Sequence, residues 1–359
     1  MLLKNEERAV FALRSLYRAY GYLPFKMSKF EEYDLYVRNK DFLLGNNVIT
    51  FNDTDGRLLA MKPDVTLSII KNIPLNQTQK EKVFYNENVY RVSAKTHRFK
   101  ETSQAGLECI GDIDVLDVFE VVYLAAKSLS LVSSDFALDI SHMGILSSIL
   151  DSVTDSESFK KTYTKLISEK NKHEAAALIE EFGLSLHKEK LLSLIDMYGD
   201  IEDVLKRLRP LCQDDSSREA YEELETLCSL LLKTELHDKI KIDFSVVNNM
   251  KYYNGIVFKG FLSGIFEGVL SGGEYGKLLS RMGREGGAVG FAMYLDLLEE
   301  LDTAKAAEYD VDTLLLYTPS SDASLVAAKK EELIKSGESV YASKTIPEGI
   351  RYKKIINIG

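Results

Sequence analysis

The sequence predicts an α+β protein: a mostly antiparallel sheet flanked by helices, interrupted by a helical insertion and followed by a small α/β unit. Three observations carry this. Short strand signals bunch between residues 48 and 110 and return between 241 and 292. Between those blocks, residues 142 to about 236 turn rich in Glu, Lys, Leu and Ser at helical spacing, with Pro210 as the internal breaker. The last block, from near Tyr309, reads strand, helix, strand. The chain has 359 residues, of which 45% are hydrophobic and 28% charged, the balance of a folded chain of two or three domains.

The elements follow in order. Val10, Leu13, Leu16, Tyr17 and Tyr20 recur at helical spacing, Glu6 and Glu7 stand in the first turn, and Gly21 suits the stop. Val48–Phe51 and Arg57–Met61 flank Asn52-Asp-Thr-Asp-Gly56, a hairpin turn signal. Lys62-Pro63-Asp64 ends the second strand and opens a helix to about Ile73. Val83–Tyr85, Val89–Val92 and Ala105–Ile110 read as antiparallel strands around a polar loop at Lys95–Lys100. Asp114 to Ser130 is a long apolar-periodic helix and Phe136–Ile140 a strand. Strands are expected at Lys241–Val247, Ile256–Phe261 and Ala288–Ala292, with a Gly-rich stretch between the last two. In the tail, Val311–Tyr317, a helix over Asp322–Ser336, and Ile350–Ile358 complete the pattern, with acidic and basic side chains in balance. The domains expected are 1–141 with 237–305, then 142–236 as the insertion, then 306–359.

Composition excludes several classes. A net charge of −10 and a pI near 5.2 argue against nucleic-acid binding through the overall field. The N-terminus does not read as a signal peptide, and no apolar run is long enough to span a membrane. Cys109, Cys212 and Cys228 are odd in number and widely spaced, which argues for a reducing compartment, the cytoplasm, without a structural metal. His97 and His142 lack metal-ligand spacing.

Three polar clusters stand at strand ends or turns. They are Lys62-Pro-Asp64-Val-Thr66, Tyr90-Arg91…Arg98…Gln104…Glu108, and Lys251-Tyr252-Tyr253-Asn254-Gly255 with Ser271-Gly-Gly-Glu-Tyr275. Gln104 and Glu108 share a face if their segment is a strand. Glu108, in an apolar neighbourhood, reads equally as a simple edge residue or as a buried carboxylate that needs a partner or ligand. Arg91 reads equally as half of an internal salt bridge. Gly272-Gly273 reads first as a tight turn and second as a place where a ligand approaches the backbone. Tyr252 and Tyr253 would alternate faces of a strand, one in the core and one in a pocket wall.

Taken in order, these segments resemble histidyl-tRNA synthetases and their paralogue, the ATP phosphoribosyltransferase regulatory subunit of histidine biosynthesis. Met61-Lys-Pro-Asp-Val-Thr66 looks like the synthetase L-R-P-E-G-T signature, Val89–Glu108 like class II motif 2, and Tyr252–Phe258 like the second histidine signature. Gly272-Gly-Glu-Tyr275 and Ala288–Leu295 look like the G-G-R-Y segment and motif 3. The resemblance implies a class II aminoacyl-tRNA synthetase-like fold, a homodimer core, and a histidine pocket made of Asp64, Thr66, Arg91, Gln104, Glu108, Tyr252, Tyr253 and Tyr275. Carboxylates and a Thr hydroxyl suit the α-ammonium; Gln and Tyr suit the imidazole. Arg91 matches the motif 2 arginine and Arg98 the loop arginine, a possible anion site.

The departures from the family pattern shape the functional expectation. Asn248 replaces the catalytic arginine, Lys251 its Asp, Leu297 the motif 3 arginine, Tyr294 the motif 3 glycine, Glu274 the G-G-R-Y arginine, and Ser28 the motif 1 proline. One lost cation of this kind costs ~10²–10³ in rate. The short neutral tail resembles a truncated anticodon-binding domain, and Asp139-Ile-Ser-His-Met-Gly144 is similar to the regulatory subunit's D-x-x-H-x-G stretch. The expectation is therefore a protein without catalytic residues, cofactor or metal. It would bind L-histidine and regulate the short-form ATP phosphoribosyltransferase catalytic subunit within a hetero-oligomer. A divergent synthetase and a free-standing histidine sensor are the alternatives.

Overall fold

The computed structural model describes residues 5–39, 48–73, 80–92, 96–247, 253–305 and 309–358. Residues Asn5–Glu300 form one compact unit, and Leu301–Gly359 belong to a second. The larger unit is built on a nine-stranded sheet. Its order is Leu23–Pro24, Glu81–Val92, Phe99–Gly111, Gly287–Tyr294, Leu270–Glu274, Ile256–Leu262, Phe136–His142, Ile240–Asp243 and Tyr198–Gly199. The pairing is antiparallel except where Leu23–Pro24 meets Glu81–Val92 and where Phe136–His142 meets Ile240–Asp243.

One face of this sheet is dry. Leu107, Cys109, Val289, Phe291, Met293 and Phe258 point to it and are buried, alternating with the residues that face the other way. The helix Asn5–Ala19 covers it through Ala9, Leu13 and Tyr17, and Gly21 ends that helix at φ +84°. The Tyr17 ring lies 6.0 Å edge-on from Phe291, and its hydroxyl is 3.0 Å from Ser128 Oγ of the helix Val115–Val132. That second helix starts in a capping box: Asp114 accepts from the Leu116 and Asp117 N–H groups, and Asp117 accepts from the Asp114 N–H. It lies close over the sheet, since a Cβ on Gly260 would stand 2.7 Å from Leu129.

Several elements differ from expectation. Val83–Tyr85 and Val89–Val92 are one strand, Glu81–Val92, because Asn86-Glu-Asn88 pairs across to Ser103–Ala105 instead of breaking. The Gly-rich stretch contains the strand Leu270–Glu274. Gly272 and Gly273 are thus mid-strand residues, not a tight turn. Cβ atoms there would meet the Gly290 carbonyl at 2.4 Å and the Ile256 carbonyl at 2.6 Å, so glycine serves close packing. The expected strand 241–247 ends at Asp243, whose Oδ1 accepts the Ser245 N–H and turns the chain. The hairpin is Thr50–Asn52 with Leu58–Met61, turned at Gly56 (φ +81°) and joined by an unforeseen third strand, Phe30–Glu32.

The helical segment leaves the sheet at His142 and runs from Met143–Asp151 to Asp215–Leu231. It carries the short strand Tyr198–Gly199 back to the sheet edge beside Ile240–Asp243. The helix Asp215–Leu231 packs on Met143–Asp151 and on Val115–Val132. In the second unit, Val311–Tyr317 lies between Val340–Ser343 and Tyr352–Ile358 in a parallel sheet, with the helix Ala323–Lys335. Among the described residues no helix is long and apolar enough to cross a membrane.

Candidate functional site

The second face of the sheet carries polar residues in its middle strands. Along Phe99–Gly111, Gln104, Gly106 and Glu108 face this side, as the four-residue spacing predicts. Glu108 sits in the third of nine strands, 2% exposed, so the edge reading fails. Two hydroxyls hold it: Thr66 Oγ1 donates to Oε1 at 2.9 Å, and Tyr275 Oη donates to Oε2 at 2.5 Å. Burial raises the Glu108 pKa to about 8, opposed by these two hydroxyl bonds and reinforced by the nearby Asp64 charge.

Glycines make room for this carboxylate. Gly290 lies directly across from Glu108 in the neighbouring strand, where a Cβ would fall 1.6 Å from Glu108 Oε2. A Cβ on Gly106 would meet the Tyr85 hydroxyl at 2.6 Å. Tyr85 is buried, its hydroxyl donates to the Phe291 carbonyl (3.4 Å), and its pKa is raised by burial and by the Glu108 and Asp64 charges. Sequence reasoning missed Tyr85. The usable signal was Gly106 and Gly290, glycines inside strand patterns.

The segment Lys62–Thr66 is pinned to the sheet. Lys62 is fully buried with Nζ 2.8 Å from Glu87 Oε2, and its carbonyl accepts the Tyr90 N–H. Arg91 Nε donates to the Pro63 carbonyl at 2.8 Å. Asp64 Oδ1 accepts the Leu67 N–H at 2.9 Å in the first turn of the helix Thr66–Asn72, which aims Thr66 at Glu108. Burial raises the Asp64 pKa, and the Leu67 N–H and then the Arg91 charge offset part of it. Arg91 therefore holds the Pro63 backbone and lies near enough to Asp64 to favour its charge.

Tyr253 stands before the strand Ile256–Leu262, not inside a strand as expected. Its pKa is driven up by burial and by the Tyr294, Glu108 and Asp64 charges, which places its phenol among them. Gln104 is buried and pairs across to Glu87 on one side and Tyr294 on the other. Tyr294 Oη lies 2.8 Å from Ser271 Oγ, closing this side of the face. Thus Asp64, Thr66, Glu108, Tyr253 and Tyr275 converge, with Gln104 and Arg91 beside them. Arg98 does not converge: it is exposed, its N–H donating to Thr96 Oγ1. Tyr252, Asn248 and Lys251 lie outside the described residues.

His142 is buried at the start of Met143–Asp151, where Nδ1 accepts the Gly144 and Ile145 N–H groups. It caps a helix. Among the described residues no group of three His, Cys, Asp or Glu is placed to hold a metal.

The arrangement is a buried carboxylate with hydroxyls and a second carboxylate at hand, suited to an ammonium or ring N–H donor. Thr66→Val removes one donor to Glu108 while keeping the shape. It is expected to destabilise the protein by about 1–2 kcal/mol, read from the urea unfolding midpoint.

The model of the histidyl-tRNA synthetase family matches residues 2–298. The ATP phosphoribosyltransferase regulatory subunit of Oceanobacillus iheyensis is 29% identical over 340 residues, covering 91% of this chain and 84% of its own. A solved structure described as an ATP phosphoribosyltransferase regulatory subunit/histidyl-tRNA synthetase from Bacillus halodurans superposes with a TM-score of 0.82 at 24% identity, covering 99% of this chain and 94% of that one. A chain of the Thermotoga maritima ATP phosphoribosyl transferase complex gives a TM-score of 0.63 at 21% identity, covering 81% and 97%. At these identities the two structures establish the fold.

Proposed function

The chain belongs to the histidyl-tRNA synthetase family, and from that premise we propose that it is a non-catalytic regulatory subunit of ATP phosphoribosyltransferase, active in the cytoplasm in histidine biosynthesis. It binds L-histidine in the pocket around Glu108 and, as a homodimer core within a hetero-oligomer, activates the short-form catalytic subunit and confers feedback inhibition. One contrast carries this reading. The amino-acid side of the site is largely retained, with Asp64 where the family has Glu and Glu108 held by Thr66 and Tyr275, whereas the positions of two family arginines hold Asn248 and Leu297. Adenylation builds negative charge on a phosphate, and fixed cations supply the stabilisation, so the loss disables activation more than binding. Tyr294 stands in place of the motif 3 glycine, its hydroxyl 2.8 Å from Ser271 Oγ, and a side chain there leaves less room than a glycine would. Relatives that align over 91% and 88% of this chain, and over 84% and 82% of their own length, are named ATP phosphoribosyltransferase regulatory subunits.

The test is calorimetric titration with L-histidine, with and without ATP, followed by assay of the short-form transferase with added protein. Histidine binding unchanged by ATP, no histidine-dependent pyrophosphate exchange, and a stimulated, histidine-sensitive transferase are expected. The retained Arg91 favours a second reading, a divergent synthetase; joint consumption of ATP and histidine establishes that one instead. Binding without any effect on the transferase leaves a free-standing sensor.

The pocket chemistry adds a signature. With its pKa at about 8, Glu108 keeps its proton at pH 7 in the empty site. An α-ammonium bonded to it favours the carboxylate, so histidine binding at pH 7 releases close to one proton. Titrations in buffers of different ionisation enthalpy measure that number. A value of zero places the ammonium away from Glu108.

A further inference from the structure

His142 belongs to a chain of contacts that joins the helical segment to the pocket wall. Because Nδ1 accepts two backbone N–H groups, the ring proton sits on Nε2, 3.1 Å from Glu223 Oε2 on the helix Asp215–Leu231. Beyond the ring lies Glu274, half-buried, whose Oε2 accepts the Ile256 N–H at 2.7 Å and whose carbonyl accepts the Asn254 N–H at 3.2 Å. Burial raises the Glu274 pKa; the Ile256 N–H offsets part of that and the neighbouring Glu223 charge adds to it. The Tyr253–Gly255 loop is clamped between these groups. The Gly255 carbonyl accepts the Met143 N–H (2.9 Å), and a Cβ on Gly255 would fall 2.3 Å from Glu274 Oε2. A Cβ on Gly144 would stand 2.9 Å from the His142 ring and 3.3 Å from the Asn254 carbonyl, so helix start, imidazole and loop share one close-packed seam. Tyr253 of this loop stands in the pocket wall, and Glu274 is followed by Tyr275, which holds Glu108.

A cavity of about 350 Å³ lies against Tyr253, Asn254 and the start of Met143–Asp151. The clamp therefore borders open space, and the loop has somewhere to go when the clamp loosens. Two departures from the synthetase pattern meet here: the G-G-R-Y arginine has become Glu274, and the D-x-x-H-x-G stretch has supplied His142.

We propose that His142 is a positioning residue that couples the helix Asp215–Leu231, through Glu223, to the Tyr253–Gly255 loop and hence to ligand affinity in the Glu108 pocket. Movement of that helix, as when a partner protein leans on it, is then read as a change in the pocket wall. The effect on affinity rests on the reading of the pocket as a histidine site; the clamp on the loop does not.

Glu223→Gln tests it, since Glu223 lies largely exposed on its helix and the substitution keeps size while removing the carboxylate charge that accepts from the imidazole Nε2–H. Two readouts are expected: exchange of the Asn254 and Ile256 amides without ligand at least about 5-fold faster, and L-histidine affinity at least about 3-fold weaker. Glu222→Gln, next to it, is expected to change neither. His142→Asn keeps a helix-capping side chain but does not span to Glu223; it should reproduce both effects, and Glu223→Gln added to it should change nothing further. Amide exchange and affinity both at wild-type values in Glu223→Gln overturn the coupling. So do additive effects of the two substitutions. Faster exchange in a protein whose wild type ignores histidine sinks the functional reading and keeps the clamp.

Discussion

Gly290→Ala is expected to cost about 3–5 kcal/mol of stability and to abolish ligand binding in the Glu108 pocket. The added methyl would lie 1.6 Å from Glu108 Oε2 and 2.5 Å from the Leu107 carbonyl, and Gly290 sits between strands on both sides, facing Glu108 and Gly273. Backbone cannot yield there without breaking the ladder. The carboxylate must therefore swing away from Tyr275 and Thr66, leaving a buried acid without its donors. Overpacking typically costs about 1–3 kcal/mol, and an unsatisfied buried polar group a further 1–3 or so. Gly276→Ala is the control, because its nearest neighbour would be 3.7 Å away; it should stay within about 0.5 kcal/mol of wild type. Urea unfolding midpoints decide. A Gly290→Ala protein with an unchanged midpoint shows that Glu108 has room to move, and that the carboxylate is not held tightly in its site.

What the sequence made legible followed from periodicity and motif order. The capped helix from Asp114, the helix ended by Gly21, the hairpin turned at Gly56 and the strand pairing of Gln104 and Glu108 all carry local signals, and the structure has them. The class II fold came through the order of weak motifs, none decisive alone. The failures share a physical cause. Gly272-Gly273 looked like a turn because local propensity sees only flexibility, whereas the reason for glycine there is the Gly290 carbonyl and Phe291 in the next strand, far along the chain. Leu23–Pro24 and Tyr198–Gly199 are too short to show alternation and exist only because a sheet edge offers them partners. The Glu223–His142–Glu274 chain joins residues far apart in sequence, so no spacing rule reveals it. Arg98, expected as an anion-site residue and not as part of the histidine pocket, stands apart from the described pocket residues, since a motif position fixes a residue type without fixing where an exposed loop points.

Glu108→Gln is expected to remove the part of the protein's pH dependence by which Glu108 favours acid. In the unfolded chain a glutamate titrates near 4.5, and in this pocket burial lifts the same group to about 8. Between those values the folded state holds a proton that the unfolded state has released, so the Glu108 contribution to stability falls as pH rises from about 4.5 and levels off above about 8. Each tenfold difference in proton affinity between the two states corresponds to about 1.4 kcal/mol, so the full swing is on the order of 4–5 kcal/mol. Below pH 4.5 the contribution is fully present; above 8 it is gone. Glutamine keeps the size and cannot ionise, and the Thr66 and Tyr275 hydroxyls can reorient to serve its oxygen and amide. The difference between variant and wild type therefore cancels every other titrating group and isolates Glu108. Denaturation in urea at about pH 5 and pH 9 should show the variant gaining about 4 kcal/mol on wild type across that range. A difference that does not change with pH means Glu108 is ionised throughout, with a cation at hand. The same experiment with a saturating amino-acid ligand links stability to function. An ammonium that stabilises the carboxylate lowers its pKa, so ligand should flatten the wild-type profile and leave that of Glu108→Gln untouched.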